Sequence, residues 1–220
     1  PEYGITHYSD GELAYLLRTG IKKDGTYSPP YMIKLPHLSD EDMNNLIAFL
    51  RSDHPMVQPS DNQTPPSKPN FQAKLLSNVA FKPLPYPNKP IPTPDRADEV
   101  TYGKYLATAK YDCYACHSAD FKTADPLVPE NSEGYFGGGN PLKDLDGHPN
   151  PSANLTMDKE TGLGNWTEEQ FIQAVKTGIR PNGPSLRYPM MPYAAMTDEE
   201  VSAIWEYLQT LPAIHNPISR

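Results

Sequence analysis

The stretch Cys113-Tyr114-Ala115-Cys116-His117 holds the only two cysteines of the chain, and a histidine follows the second directly. Two thiols on one turn can add to the two vinyl groups along one porphyrin edge, and the adjacent imidazole then stands under the iron. C-x-x-C-H is therefore read as a c-type haem attachment site. Two other chemistries compete for these residues. A dithiol redox pair wants a βαβ context, and half of a zinc site needs further Cys or His at ligand spacing. Neither context is visible, because the remaining histidines (7, 37, 54, 148 and 215) stand singly on polar, proline-flanked segments. The expectation is covalent haem on Cys113 and Cys116 with His117 as an iron ligand.

An iron held on one face by imidazole needs a partner on the other, and the repeat structure of the chain selects a candidate. Shifted by 158 residues, the sequence lies on itself without a gap for about 45 residues: Ser9 falls on Thr167, Gly20 on Gly178, Gly25 on Gly183 and Ser39 on Thr197. Methionines 190, 191 and 196 crowd together, yet only Met190 has a methionine at the equivalent place, Met32; Met191 matches Ile33 and Met196 matches Leu38. A residue type needed for ligation should recur, so Met190 is the expected sixth ligand and Met191 the alternative. His/Met ligation fills both axial positions and favours the ferrous state. That describes an electron carrier and not an enzyme; a haem peroxidase, which needs an open sixth position, is the less favoured alternative.

These residues must be positioned by helices. Thr167 with Gln170 forms a capping box ahead of the stripe Phe171, Ala174, Val175, and Gly178 closes the helix. Thr197 with Glu200 opens a second, carrying Val201, Ile204, Leu208 and Leu211 up to Pro212. The segments from Ser9 to Gly20 and from Ser39 to Leu50 repeat both plans. Upstream of the haem motif, Val100, Gly103, Leu106 and Ala107 predict a third helix in which Gly103 permits close approach of a neighbour. The expected organisation is residues 1–54 as the C-terminal half of a first domain, 55–97 as a linker and 98–220 as a complete domain with the C-x-x-C-H motif. Eleven of the 26 prolines fall within 53–98, which favours a semi-rigid polyproline II spacer. The shifted counterpart of the haem motif would precede residue 1, so a second haem is expected in the intact protein beside the one on this chain.

Composition narrows the partners. The 220 residues carry a net charge of −8 and no basic run longer than a Lys-Lys pair, which excludes nucleic acid and points to redox partner proteins with a basic docking surface. The longest apolar run is far short of the roughly 18 residues of a membrane-spanning helix, so no transmembrane segment is expected. Gly137-Gly138-Gly139 lacks the Lys-Ser/Thr of a phosphate-binding loop, and the acidic pairs Glu168-Glu169 and Glu199-Glu200 sit at helix N-termini, where the dipole accounts for them.

Several stretches resemble the bacterial multihaem class I cytochromes c. They are Tyr102 to Leu106, Asp112 to His117, Phe136-Gly137-Gly138-Gly139-Asn140-Pro141, Ala153-Asn154-Leu155-Thr156-Met157-Asp158, Thr161 to Thr167 and Pro189-Met190-Met191-Pro192-Tyr193. The likeness extends to cytochrome subunits that serve alcohol, aldehyde and gluconate dehydrogenases. It implies an all-α class I cytochrome c fold preceded by a partial second copy. It also implies a periplasmic address, with membrane association through a preceding segment or a partner. By the same resemblance Trp166 and Asn154 would line the propionate side of the haem, and a tightly bound dehydrogenase subunit becomes the alternative to a free electron shuttle.

Overall fold

The structure is a computed structural model that describes residues 4–29, 32–60, 71, 75 and 82–219. The chain divides into two compact units between Thr93 and Pro94. Among the described residues there is no strand, only the isolated bridges Ile21 to Tyr27 and Lys143 to Pro149. The helical expectation holds.

In the first unit, α1 (Asp10–Thr19) starts at the Ser9–Glu12 capping box and ends at Gly20, whose φ of 80° is the left-handed conformation that glycine tolerates. Ser39 caps α2 (Asp40–Leu50), and Leu13, Leu38, Met43 and Ile47 are buried. Arg18, 1% exposed, donates to the carbonyls of Pro36 and Leu38 and pairs with Asp40 at 2.7 Å. The described end of the proline-rich segment has little regular structure and lies on this unit: Leu84 N donates to Thr19 O, and Tyr86 stacks on Tyr15. Of the apolar residues interleaved with the prolines, Phe71, Leu75 and Tyr86 are exposed, and Leu76, Val79 and Phe81 lie outside the described residues.

In the second unit, α3 (Glu99–Tyr105) runs on into a π-helical turn (Leu106–Lys110) and then to α4 (Cys113–His117), which carries the haem motif. Tyr102, not Val100, is the inward-facing residue of the first turn; Val100 is 40% exposed. α5 (Glu168–Thr177) and α6 (Asp198–Gln209) both open with capping boxes, on Thr167 and Thr197. α3 packs on α6 so closely that a Cβ on Gly103 would stand 1.8 Å from Ala203 O. Leu106, Val201, Ile204 and Leu208 fill the seam. Three helices of seven to twelve residues cover little apolar area by themselves, and a large internal space remains beside them.

The same backbone contacts recur 158 residues apart. Ser28 N to Gly20 O and Leu186 N to Gly178 O are both 2.7 Å; Leu35 N to Leu17 O is 2.8 Å and Tyr193 N to Val175 O is 2.9 Å. Met32 N donates to Pro29 O as Met190 N does to Arg187 O. The Arg18–Asp40 ion pair has its counterpart in Lys176–Asp198.

Candidate functional site

The internal space of the second unit is a cavity of about 870 Å³, within the range of about 300–1,000 Å³ usual for cofactor sites. Cys113, Cys116, His117, Asn154, Trp166 and Met190, the six residues singled out from the sequence, all line it.

Each arrives by a different route. α4 presents the two cysteines and His117 from one short helix. The His117 imidazole reaches across to the loop after the motif, where its Nδ1 lies 2.8 Å from Ala153 O. A carbonyl can only accept, so Nδ1 carries the proton and the lone pair is on Nε2. This is how metal-binding histidines are commonly oriented. Gly138 supports the arrangement twice. Its N–H donates to His117 O at 2.8 Å, and at φ 70° its α-carbon sits so near Ala153 that a Cβ would lie 2.4 Å from that carbonyl. The triple glycine has a packing purpose that no phosphate-loop reading supplies.

Met190 follows Pro189 in the turn before α6 and lines the cavity. Met191 points outward, 59% exposed, and is absent from the wall. Met196 also reaches the wall but is 5% exposed, matching its equivalent Leu38 at 4%, as a packing position should. In the first unit Met32 is 54% exposed.

Asn154 is 3% exposed and its amide is committed to the protein. Nδ2 donates to Thr161 Oγ1 and Ile214 O, and Oδ1 accepts from Thr156 N and Oγ1. What it brings to the cavity is the placement of the wall. Trp166 is half-buried, with its N–H from the backbone bonded to Leu163 O.

The thiols do not look like a redox pair. Desolvation, with Asp112 and Cys116 adding to it, pushes the Cys113 thiol up to about 12, and the loss of water around the more exposed Cys116, with Asp112 beside it, raises that thiol too. Redox-active C-x-x-C cysteines are shifted the other way. Nor do they form half of a zinc site. Among the described residues the grouping able to hold a metal is Asp144, Asp146 and His148, a loop cluster with Asp144 half-buried that includes neither cysteine.

Sequence reasoning missed six residues of the wall. Arg180 and Arg187 line the cavity, bonded to Pro184 O and Asn150 Oδ1, and among the described residues neither meets a carboxylate. Asp112, in left-handed conformation at φ 53°, also faces the cavity, and burial pushes its carboxyl up to about 7. Finally, Pro217, Ile218 and Ser219, beyond the last helix, complete the wall. The alternation Ile214, Asn216, Ile218 was the legible sign of an extended segment there.

Two vicinal thiols, an oriented imidazole, a thioether on the same wall and two guanidinium groups fit a porphyrin that offers vinyls, iron and acidic propionates. Comparison with known proteins agrees. Residues 100–212, just over half of the chain, match the cytochrome c family. Over 97% of its length the chain is 30% identical to the cytochrome c subunit of a quinone-type alcohol dehydrogenase from Gluconacetobacter polyoxogenes, of which it covers 46%. It is 26% identical to the fructose dehydrogenase cytochrome subunit of Gluconobacter japonicus, with 96% of the chain and 43% of that subunit aligned. Over about half of the chain it is 39% identical to the gluconate 2-dehydrogenase cytochrome c subunit of Pantoea cypripedii, covering 24% of that protein. The chain thus spans less than half the length of these relatives.

Proposed function

The chain belongs to the cytochrome c family, and from that premise we propose that it is a periplasmic electron-transfer protein whose second unit holds one haem c with His/Met ligation. The observation that carries this reading is the common cavity. His117, with Nδ1 held by Ala153 O, faces it together with Met190, Cys113 and Cys116.

When bound, the haem supplies an iron centre that gains and loses one electron. Cys113 and Cys116 would hold it through thioethers, each S–H adding across one vinyl double bond. His117 Nε2 and the Met190 sulfur would hold the iron, and the pair would favour electron transfer over binding of a substrate. Arg180 and Arg187 would supply positive charge to the propionates. Asn154 and Trp166 shape the wall, Asn154 by fixing its loop. Phe136, Leu163 and Phe171 give the cavity buried apolar walls, and an apolar surrounding favours the less charged ferrous state.

The first unit is, on this reading, the C-terminal half of a second domain of the same kind, and the intact protein carries a further haem. Its support is the recurrence of caps, turns and ion pair at the same shift. The relatives favour one physiological setting, a cytochrome subunit docked to a dehydrogenase, over a freely diffusing shuttle. The net charge of −8 suits a partner with a basic docking surface.

The test is the visible spectrum of the oxidised and reduced protein with a pyridine haemochrome assay. One haem c per chain and a low-spin, thioether-ligated ferric spectrum are expected. A high-spin spectrum with an open iron position would overturn the carrier reading in favour of catalysis. Co-purification with a dehydrogenase at high salt would select the bound subunit over the shuttle.

A further inference from the structure

We propose that residues 213–219 are a strap that closes one side of the haem cavity and limits the water that reaches the cofactor. This rests on the haem reading above but concerns a segment beyond the stretch matched by the cytochrome c family, which ends at residue 212.

The segment has the pattern of an extended chain laid on a surface. Ile214, Asn216 and Ile218 are half-buried, and Ala213, His215, Pro217 and Ser219 between them are exposed. An extended chain turns alternate side chains to opposite faces, so one face is docked. The docking is made by specific hydrogen bonds. Ile214 N donates to Thr156 Oγ1 at 3.0 Å, and Ile214 O accepts from Asn154 Nδ2. Asn216 N donates to Thr161 Oγ1 at 3.0 Å, while its Nδ2 reaches Gly137 O and Gly138 O at 3.0 and 3.2 Å. His215 stands 3.5 Å from Asp158 on the outer side. The strap thereby joins two loops that build the cavity wall, the triple glycine that abuts Ala153 and the Asn154–Thr161 loop. Past these anchors Pro217, Ile218 and Ser219 line the cavity itself.

The segment is thus pinned to two separate loops, and its end, with Ile218 half-buried, lines the cavity edge. Its consequence is electrostatic. The ferric form carries one more positive charge than the ferrous form, so admitting water favours ferric iron. A docked strap holds the equilibrium toward ferrous.

The experiment uses the full haem-loaded chain and two variants. Asn216→Ala removes the anchor to Gly137 and Gly138, and Ile218→Ser changes the cavity-facing end without touching an anchor. Haem per chain, the ferric spectrum, the midpoint potential and deuterium uptake of 213–219 are measured on the same samples. Both variants should keep one haem and both axial ligands. At the wild-type midpoint the ferrous-to-ferric ratio should fall by about threefold or more in each, and Asn216→Ala should take up deuterium faster in the strap. If Asn216→Ala fails to retain haem, Ile218→Ser decides alone. The proposal is overturned by ratios that stay within about 1.5-fold of wild type, or by unchanged strap exchange in Asn216→Ala. Absence of haem from the wild-type chain would overturn the functional reading itself.

Discussion

His117 and Gly138 are bound to each other through the backbone and through a shared neighbour. Gly138 N donates to His117 O at 2.8 Å, and Gly138 also packs against Ala153, whose carbonyl accepts from His117 Nδ1 at 2.8 Å. The orientation of the imidazole therefore depends on a residue without a side chain.

Gly138→Ala should displace the Ala153 carbonyl, because the new Cβ would stand 2.4 Å from it in a backbone of φ 70°. Left-handed strain and overpacking together cost about 3 kcal/mol or more. The expected outcome is a melting temperature lower by roughly 10 °C, with a ferric spectrum shifted toward high spin. Gly147→Ala is the control: φ is 84° there but nothing lies within 4 Å, so the strain acts alone and the spectrum should not move.

Removal of the thioether should separate the three clustered methionines. Met190→Ala should abolish the far-red band of thioether-ligated ferric haem and lower the potential, since the axial ligand is the strongest control on it. Met191→Ala, at an outward position, should change neither. Met196→Ala should keep the band and lose about 2–4 kcal/mol of stability, as expected for a buried methionine. Ferric spectra and denaturant titrations of the three variants check this.

Asp112 gives a pH dependence of definite sign. Its carboxyl is raised by burial from the ordinary 3.8 to about 7, so folding opposes its ionisation. From this group alone, stability is highest near pH 4 and below, declines between about pH 4 and 7, and stays reduced above. Asp112→Asn keeps a residue that tolerates the left-handed backbone. It should match wild type near pH 4 and exceed it at pH 8 by about 2–4 kcal/mol, measured by denaturant unfolding. A variant no more stable at pH 8 would contradict this account of the buried carboxyl.

The two equivalent ion pairs should respond unequally. The Arg18 side chain is 2% exposed and bonds two carbonyls as well as Asp40, whereas the Lys176 side chain is 26% exposed. Arg18→Met leaves buried acceptors unpaired and should cost about 3 kcal/mol in the first unit. Lys176→Met should cost less than about 1 kcal/mol. Thermal unfolding followed in each variant checks the contrast.

The legible part of the molecule was the part written in short-range chemistry. The C-x-x-C-H spacing, the Ser9 and Thr167 capping boxes and the left-handed glycines at 20 and 178 are decided within a turn of helix, so residue types at i and i+3 suffice to read them. The repeat singled out Met190 over Met191, and of the two it is Met190 that lines the cavity while Met191 is 59% exposed. Gly103 was legible for a local reason: a glycine inside an apolar helical pattern points to close packing, here against Ala203 O.

The tertiary structure decided what depends on residues far apart in the chain. Asn154 looked like a cofactor contact, but its amide is used by Thr156, Thr161 and Ile214, the last 60 residues away. Asn216 meets Gly137 across 79 residues; the alternation past Pro212 signalled an extended tail but not the surface on which it docks. Arg180, Arg187 and Asp112 belong to no local motif that marks them as cavity residues, and they line it because the fold brings their loops together. The sequence by itself determined which cofactor chemistry the chain can perform, since covalent spacing and local capping need no distant partner. Only the fold decided which side chains face that cofactor and how much water does, because burial is a property of surfaces brought together and not of any one stretch of chain.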